Sequence, residues 1–181
     1  MLDERELDQF FADHFHRTAF RLEVRDRYDV AAESGELGRY LAGEPGPDPD
    51  RKTPWLDELR ADTAAGKRWQ WVHVVRGPLS PYLRLACEWG YAINVRAGAE
   101  VKILDLAEHP RPIGLPDEDF WLLDDEAVLI MRYDDDGQFL GAEPADVGEL
   151  PRYRRARDAA WQAAEPFDRY WRAHPQYHRA A

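Results

Sequence analysis

Apolar residues recur along this chain at two different periods. Leu7, Phe10, Phe11, His14 and Phe15 follow one another at three- and four-residue steps, which predicts an amphipathic helix over residues 3–17 with a single apolar stripe. Phe20, Leu22 and Val24 then alternate with polar neighbours, the period of a half-buried strand over 19–24. Residues 28–41 read as a helix, although Gly35 and Gly38 weaken it. The stretch 44–50 holds three prolines and one glycine and reads as a loop. Thr53-Pro54 supplies a cap followed by proline at the first helical position, so a short helix is expected from there to near Gly66.

Trp69, Trp71, His73 and Val75 alternate with Gln70, Val72 and Val74. This nearly all-apolar run up to Gly77 predicts a central strand covered on both faces. Ser80-Pro81 repeats the cap-plus-proline start, after which Tyr82, Leu85, Trp89 and Ile93 share one helical face until Gly98, and a second strand follows at 100–106. Strand, helix and strand in that order describe a βαβ unit whose two strands run parallel. Beyond the proline-rich loop 109–116, residues 119–143 form a hairpin that continues as a meander. Its arms lie at 120–123, 127–133 and 139–142, with turns at 124–126 and 134–137. Residues 146–170 close the chain as a helix kinked or interrupted near Pro166. The expected fold is therefore one α+β domain spanning 1–181: a mixed sheet with a βαβ-like unit followed by the hairpin, flanked by N- and C-terminal helices.

Composition narrows the function classes. With 44% hydrophobic and 12% aromatic residues the chain has enough apolar material for a core, which excludes an intrinsically disordered protein. Its net charge of -11 opposes a polyanionic backbone, so direct nucleic-acid binding is not expected. The run Arg152, Arg154, Arg155 and Arg157 reads as a solvated helix face. Cys87 is the single cysteine, which rules out an intrachain disulfide and suits a reducing compartment. The first 17 residues lack the basic start and apolar stretch of a signal peptide, and no window reaches the roughly 18 apolar residues of a membrane span, so a cytoplasmic location away from the membrane is expected.

No residue pattern calls for a metal or a cofactor. Asp134, Asp135, Asp136 and Gly137 have turn chemistry without the alternate ligand spacing of a calcium loop. Asp119, Asp124, Asp125 and Glu143 are either solvated caps or a carboxylate group gathered at one end of the hairpin. His14 and His16 cannot share a helical face, and His174 and His178 fall in a tail expected to fray. Ser80 is explained as a helix cap, and Cys87 as a small buried residue. His73 lies on the same strand face as Trp69, Trp71 and Val75, where a neutral imidazole can serve as base or ligand, or can simply be a hydrogen-bonded core histidine. The functional candidates are Trp69, Trp71, His73, Arg84, Trp89, Tyr91, Asn94 and Arg96, with Tyr82 beside them. Aromatic rings and arginines of this kind build both protein interfaces and ligand pockets, and core packing competes for the rings.

Four segments carry a resemblance: residues 19–30 (AFRLEVRDRYDV), 40–44 (YLAGE), 72–84 (VHVVRGPLSPYLR) and the pair DFWLLDD and MRYDDDGQFLGAE within 119–143. Together they resemble a domain family of unknown function that is common in actinomycetes and often encoded beside helix-turn-helix regulators. That resemblance implies a non-enzymatic regulatory or accessory role with such a regulator as protein partner. Phe120 to Asp125 is also remotely similar to the strand ending in Leu-Asp-Asp of phospholipase-D-like half domains. Their chemistry uses a histidine and a lysine two residues later, and no His-x-Lys occurs here, which implies a version used for sensing or protein contacts. Two readings stand: a partner-binding accessory domain, or a small-molecule enzyme or binding protein whose pocket lies between the 69–75 strand, the 82–96 helix and the 119–143 hairpin.

Overall fold

Asp3 and Glu6 cap the first helix reciprocally: the Asp3 carboxylate accepts from the Glu6 N–H, and the Glu6 carboxylate accepts from the Asp3 N–H, each at 2.9 Å. The result is α1 (Glu4–His14), slightly shorter than its apolar stripe suggests. The computed structural model describes residues 1–29 and 35–179, and of Glu4 the backbone alone. The strand β1 (Thr18–Glu23) follows. Among the described residues of the helix expected over 28–41, Glu36–Leu41 form α2, after Gly35 in a left-handed conformation, and Tyr28 and Asp29 are not helical; residues 30–34 lie outside the described residues. The next helix starts earlier than expected. Asp48, whose carboxylate accepts from the Asp50 N–H, caps α3 (Pro49–Ala64), so the cap-and-proline pair in use is Asp48-Pro49, and Pro54 lies inside the helix.

The predicted βαβ unit is present. β2 (Arg68–Val75) leads through the Ser80 cap into α4 (Pro81–Leu85), a π-helical segment at Ala86–Tyr91, α5 (Ala92–Arg96) and then β3 (Glu100–Asp105). The meander follows as β4 (Asp119–Leu123), β5 (Ala127–Tyr133) and β6 (Phe139–Pro144). The terminal helix divides in two. α6 (Leu150–Ala163) stops at Ala164, since Pro166 cannot continue a helix and its predecessor Glu165 favours extended backbone; Glu165–Pro166 forms the two-residue strand β7 against Lys102 and Ile103 of β3, and α7 (Phe167–Ala173) starts afresh. Pro166 thus ends the helix and does not kink it.

Seven strands make one mixed sheet in the order β6-β5-β4-β1-β2-β3-β7, parallel at β1-β2 and β2-β3 and antiparallel elsewhere. Alternation sends Ala19, Trp69, Trp71, Val75, Ile103 and Leu123 to one face. There they meet Leu59 of α3, Leu83 and Cys87 of the crossover, and Phe167 and Tyr170 of α7. Phe20, Leu22, Val72, Val74, Leu104, Phe120 and Leu122 fill the other face under Tyr153, Ala156 and Ala160 of α6. β1 and β2 are therefore covered on both sides, so even the polar positions of β1 are inside. No described helix is long and apolar enough to cross a membrane.

The tail expected to fray is packed. His174 is buried, its Nδ1 donates to the Tyr170 carbonyl at 2.7 Å, and its Nε2 lies 2.9 Å from the Glu108 carboxylate. A carbonyl and a carboxylate both only accept, so this arrangement suits the doubly protonated imidazolium. Burial alone would lower the His174 pKa, but Glu108 and the Tyr170 carbonyl reverse the sign and raise it above its usual value. A histidine with a raised folded pKa stabilises fully below the unfolded value of about 6.5, and that contribution is lost as pH rises through the folded value. Amide exchange across 167–179, corrected for its intrinsic pH dependence, should therefore accelerate between pH 6 and pH 8.5. His174→Gln should flatten that change, and exchange independent of pH in the unmodified protein would refute the linkage.

Candidate functional site

The C-terminal ends of parallel strands are where open sheets with helical crossovers hold ligands. Here β1 ends at Glu23, whose register partner is His73, two residues before β2 ends at Val75. Above them lies a cavity of about 360 Å³. The sheet contributes Glu23, Trp71 and His73, and the segment after β1 contributes Tyr28. A second wall is α3, with Arg51, Lys52 and Trp55. The third is the crossover helix, from Tyr82 and Leu85 through Trp89, Gly90 and Tyr91 to Asn94. Glu36, Pro47 and Asp48 complete the rim.

The crossover reaches the cavity because its middle is a π-helix. The Ala92 N–H donates to the Cys87 carbonyl five residues back, and the wider turn re-phases the buried positions to Cys87, Trp89, Tyr91 and Asn94. The stripe expected at Tyr82, Leu85, Trp89 and Ile93 assumes unbroken α-helical spacing. Tyr91 instead swings over β2, where its hydroxyl meets His73 Nδ1 at 2.5 Å and donates to Glu23 Oε2. His73 Nε2 lies 2.8 Å from the Arg25 carbonyl, which can only accept, so Nε2 carries a proton. Two further protons must then be shared among three atoms, His73 Nδ1, Tyr91 Oη and Glu23 Oε2, to make both remaining hydrogen bonds. Burial, reinforced by Glu23, raises the Tyr91 phenol well above its usual value, so it enters this chain as a neutral hydroxyl. The trio can hold a proton or pass one along at the floor of the cavity.

A second network supports the first from behind. Arg21 Nη2 donates to Asp119 Oδ2 at 2.9 Å and to the Tyr133 hydroxyl at 3.0 Å, while its Nε lies 3.6 Å from Glu23 Oε1. Asp119 also accepts from the Tyr28 hydroxyl at 2.6 Å and from the Val24 N–H at 3.0 Å. Burial disfavours the Arg21 charge, but Tyr133, Asp119 and Glu23 around it raise its pKa and keep the guanidinium charged. Arg21 Nη1 has no hydrogen-bond partner among the described residues. Asp119 and Asp124 stand at opposite ends of β4, so the acidic residues of the hairpin are not gathered at one end. Asp119 belongs to this buried network, and Asp124 binds the start of β1.

Of the residues singled out in the sequence, Trp71, His73, Trp89, Tyr91 and Asn94 line the cavity, as does Tyr82. Trp69 lies one layer away: it stacks on Trp71 with centroids 5.6 Å apart, and its indole donates to Asp62 at 3.0 Å. Arg84 Nε donates to the Leu79 carbonyl at 3.2 Å, the guanidinium lies over the Tyr177 ring, and Arg96 is exposed. No residue of the 119–143 hairpin lines the cavity; α3 forms the wall expected from it. The sequence reading missed Glu23, Tyr28 and Trp55. The one available signal was the pair Arg21 and Glu23, two charges on one face of a strand whose other face is wholly apolar.

One donor of the lining, the Asn94 amide, is left to meet an occupant. The Trp55 indole N–H donates to Asn94 Oδ1 at 3.2 Å, which fixes the amide orientation and leaves Nδ2 as the donating end. The Trp89 indole N–H is buried without a partner among the described residues. Elsewhere, Glu108, His109 and Glu165 bring ligand atoms within 4.8 Å of one another, but Glu108 is engaged by His174 and Glu165 lies 3.4 Å from Arg169, which accounts for the group as ion pairing.

The fold has a solved counterpart. It is similar to a phospholipase D family member, Nuc from Salmonella typhimurium, at 10% sequence identity and a TM-score of 0.50, covering 90% of this chain and 89% of that one. At that identity the likeness is one of fold. No curated protein matches the chain. The family model described as Domain of unknown function (DUF6879) matches residues 5–172, and the chain belongs to that family.

Proposed function

We propose that this chain is an accessory domain that binds a small molecule in the cavity at the C-terminal ends of β1 and β2. The observation that carries the reading is the cavity itself. Its volume of about 360 Å³ falls in the range of roughly 300–1,000 Å³ typical of ligand sites, and aromatic walls surround a few convergent polar groups. The free end of the Asn94 amide is a donor that a ligand would satisfy. The absence of His-x-Lys from the sequence removes the pair that phospholipase-D-type chemistry uses, which supports a binding role over phosphodiester hydrolysis. A regulatory role, with ligand occupancy read by a partner protein such as a helix-turn-helix regulator, extends the same proposal.

Gly90 provides the test. It lines the cavity, has no positive φ, and a Cβ built there meets nothing within 4 Å. Gly90→Leu should extend a side chain into the space from a Cβ that meets no neighbour and, by replacing a helical glycine, should leave stability unchanged or raise it by up to about 1 kcal/mol. A metabolite screen by thermal shift and tryptophan fluorescence should identify compounds that stabilise the unmodified protein, since binding to the native state raises apparent stability. Gly90→Leu should lose that response. Equal responses in the two proteins would place binding elsewhere and overturn the proposal.

A further inference from the structure

The floor of the cavity is built around a carboxylate whose hydrogen bonding is incomplete. Glu23 Oε2 accepts from Tyr91, but among the described residues Oε1 has only the Arg21 Nε at 3.6 Å, beyond hydrogen-bonding distance. Arg21 cannot come closer without giving up its bond to Asp119, so its charge is divided between two carboxylates. The Glu23 side chain is 18% exposed, and that exposure is toward the cavity it lines. An occupant that reaches the floor therefore takes water away from Oε1. Unless it supplies a donor in return, it leaves a carboxylate oxygen buried and unpaired, which costs more than the contact returns. A charged N–H donor meets that demand best, because charge-assisted hydrogen bonds are roughly twice as strong as neutral ones.

The walls favour the same class of ligand. The rings of Tyr28, Trp55, Trp71, Tyr82, Trp89 and Tyr91 line the cavity, and the faces of such rings attract cations. Glu36 and Asp48 stand along the rim, and the net charge of -11 draws cations toward the protein. Arg51 and Lys52 line the α3 wall, and the proton count puts a second proton on His73 when Glu23 is ionised, so the contest is between the open Glu23 Oε1 and these cations. The Asn94 amide suits the remainder of such a molecule: its Nδ2 can satisfy a carbonyl or ring acceptor at the far end.

We infer that the cavity binds a protonated amine carried on an aromatic or apolar body, with the ammonium group on Glu23 and the body among the tryptophans. The inference rests on the small-molecule reading of the cavity and goes beyond it by fixing the ligand's charge. Three probes of one shape test it on the unmodified protein: benzylamine, benzyl alcohol and benzoate, titrated to tens of millimolar against tryptophan fluorescence and thermal unfolding. The expected ranking places benzylamine first, at least tenfold tighter than either of the others. Glu23→Gln should bring benzylamine down to the level of benzyl alcohol. Benzoate or benzyl alcohol binding as well as benzylamine, with Gly90→Leu abolishing it, would overturn the amine assignment and leave the cavity as a ligand site. Binding of all three probes unaffected by Gly90→Leu, or of none of them, would overturn both. Because the ranking is read on the unmodified protein, it stands whether or not Glu23→Gln folds.

Discussion

Asp119→Ala is expected to destabilise the protein by about 3–5 kcal/mol, because it leaves the Arg21 guanidinium buried without its principal partner. In a domain of this size that corresponds to a fall in Tm of about 10 °C. The change removes three hydrogen bonds at once, from Arg21, Tyr28 and the Val24 N–H, and strips the support from behind Glu23. Arg21→Met combined with Asp119→Leu should cost much less than the two single changes added together, since a well-packed apolar pair can replace a buried ion pair with little loss. Urea denaturation of the unmodified protein, Asp119→Ala, Arg21→Met, Asp119→Leu and the double variant gives the comparison. A cost below about 1 kcal/mol for Asp119→Ala would mean that water reaches Arg21 and that the network is not the buried one described.

Asp124→Ala is expected to cost about 2–4 kcal/mol for a different reason. Asp124 and Asp125 hold the β4-β5 turn at φ 50° and 62°, left-handed values that asparagine, aspartate and glycine tolerate best. The Asp124 carboxylate then reaches across to accept the N–H groups of His16, Arg17 and Thr18 at 3.1, 2.8 and 2.7 Å. Each donor left unpaired costs about 1–3 kcal/mol when buried, less here because water reaches the turn. Burial alone would raise the Asp124 pKa, but the three N–H bonds bring it below the usual carboxylate range. A depressed folded pKa contributes stability above the unfolded value of about 3.9 and loses it as pH falls through the folded value. The unmodified protein should therefore lose stability between about pH 5 and pH 2 more steeply than Asp124→Asn. Parallel acid titrations of the two would remove this account of the turn.

Both residues show what the sequence could and could not convey. The βαβ unit, the meander and the capped start at Ser80 were legible because each rests on local chemistry: alternation, turn residues, and a cap followed by proline. His73 was placed on the correct face by alternation alone. Alternation alone puts Arg21 and Glu23 on the solvent side of a half-buried β1, because a strand with one apolar face looks the same whether or not its other face is covered. Only the order of strands, with β1 between β4 and β2, puts those charges inside. Tyr91 was legible as a candidate but not in its role, since the π-turn that aims it at His73 follows from packing and has no signature in the residues themselves. The third wall was assigned to the hairpin instead of α3, since the true start of that helix at Asp48-Pro49 lay within a stretch read as loop.

The two-residue strand β7 has a consequence for how this protein behaves among its own copies. A strand at the margin of a sheet offers unpaired backbone groups to any other chain that approaches. Beyond β3 that margin is Glu165–Pro166, too short to template a further strand, and its proline has no N–H to offer. At the opposite margin Leu2 exchanges both backbone hydrogen bonds with Ala142 of β6, so part of that border is also occupied from within the chain. Both margins of the sheet are thereby partly closed to β-pairing between copies, which leaves the parallel strands beneath the cavity to pair only within the chain.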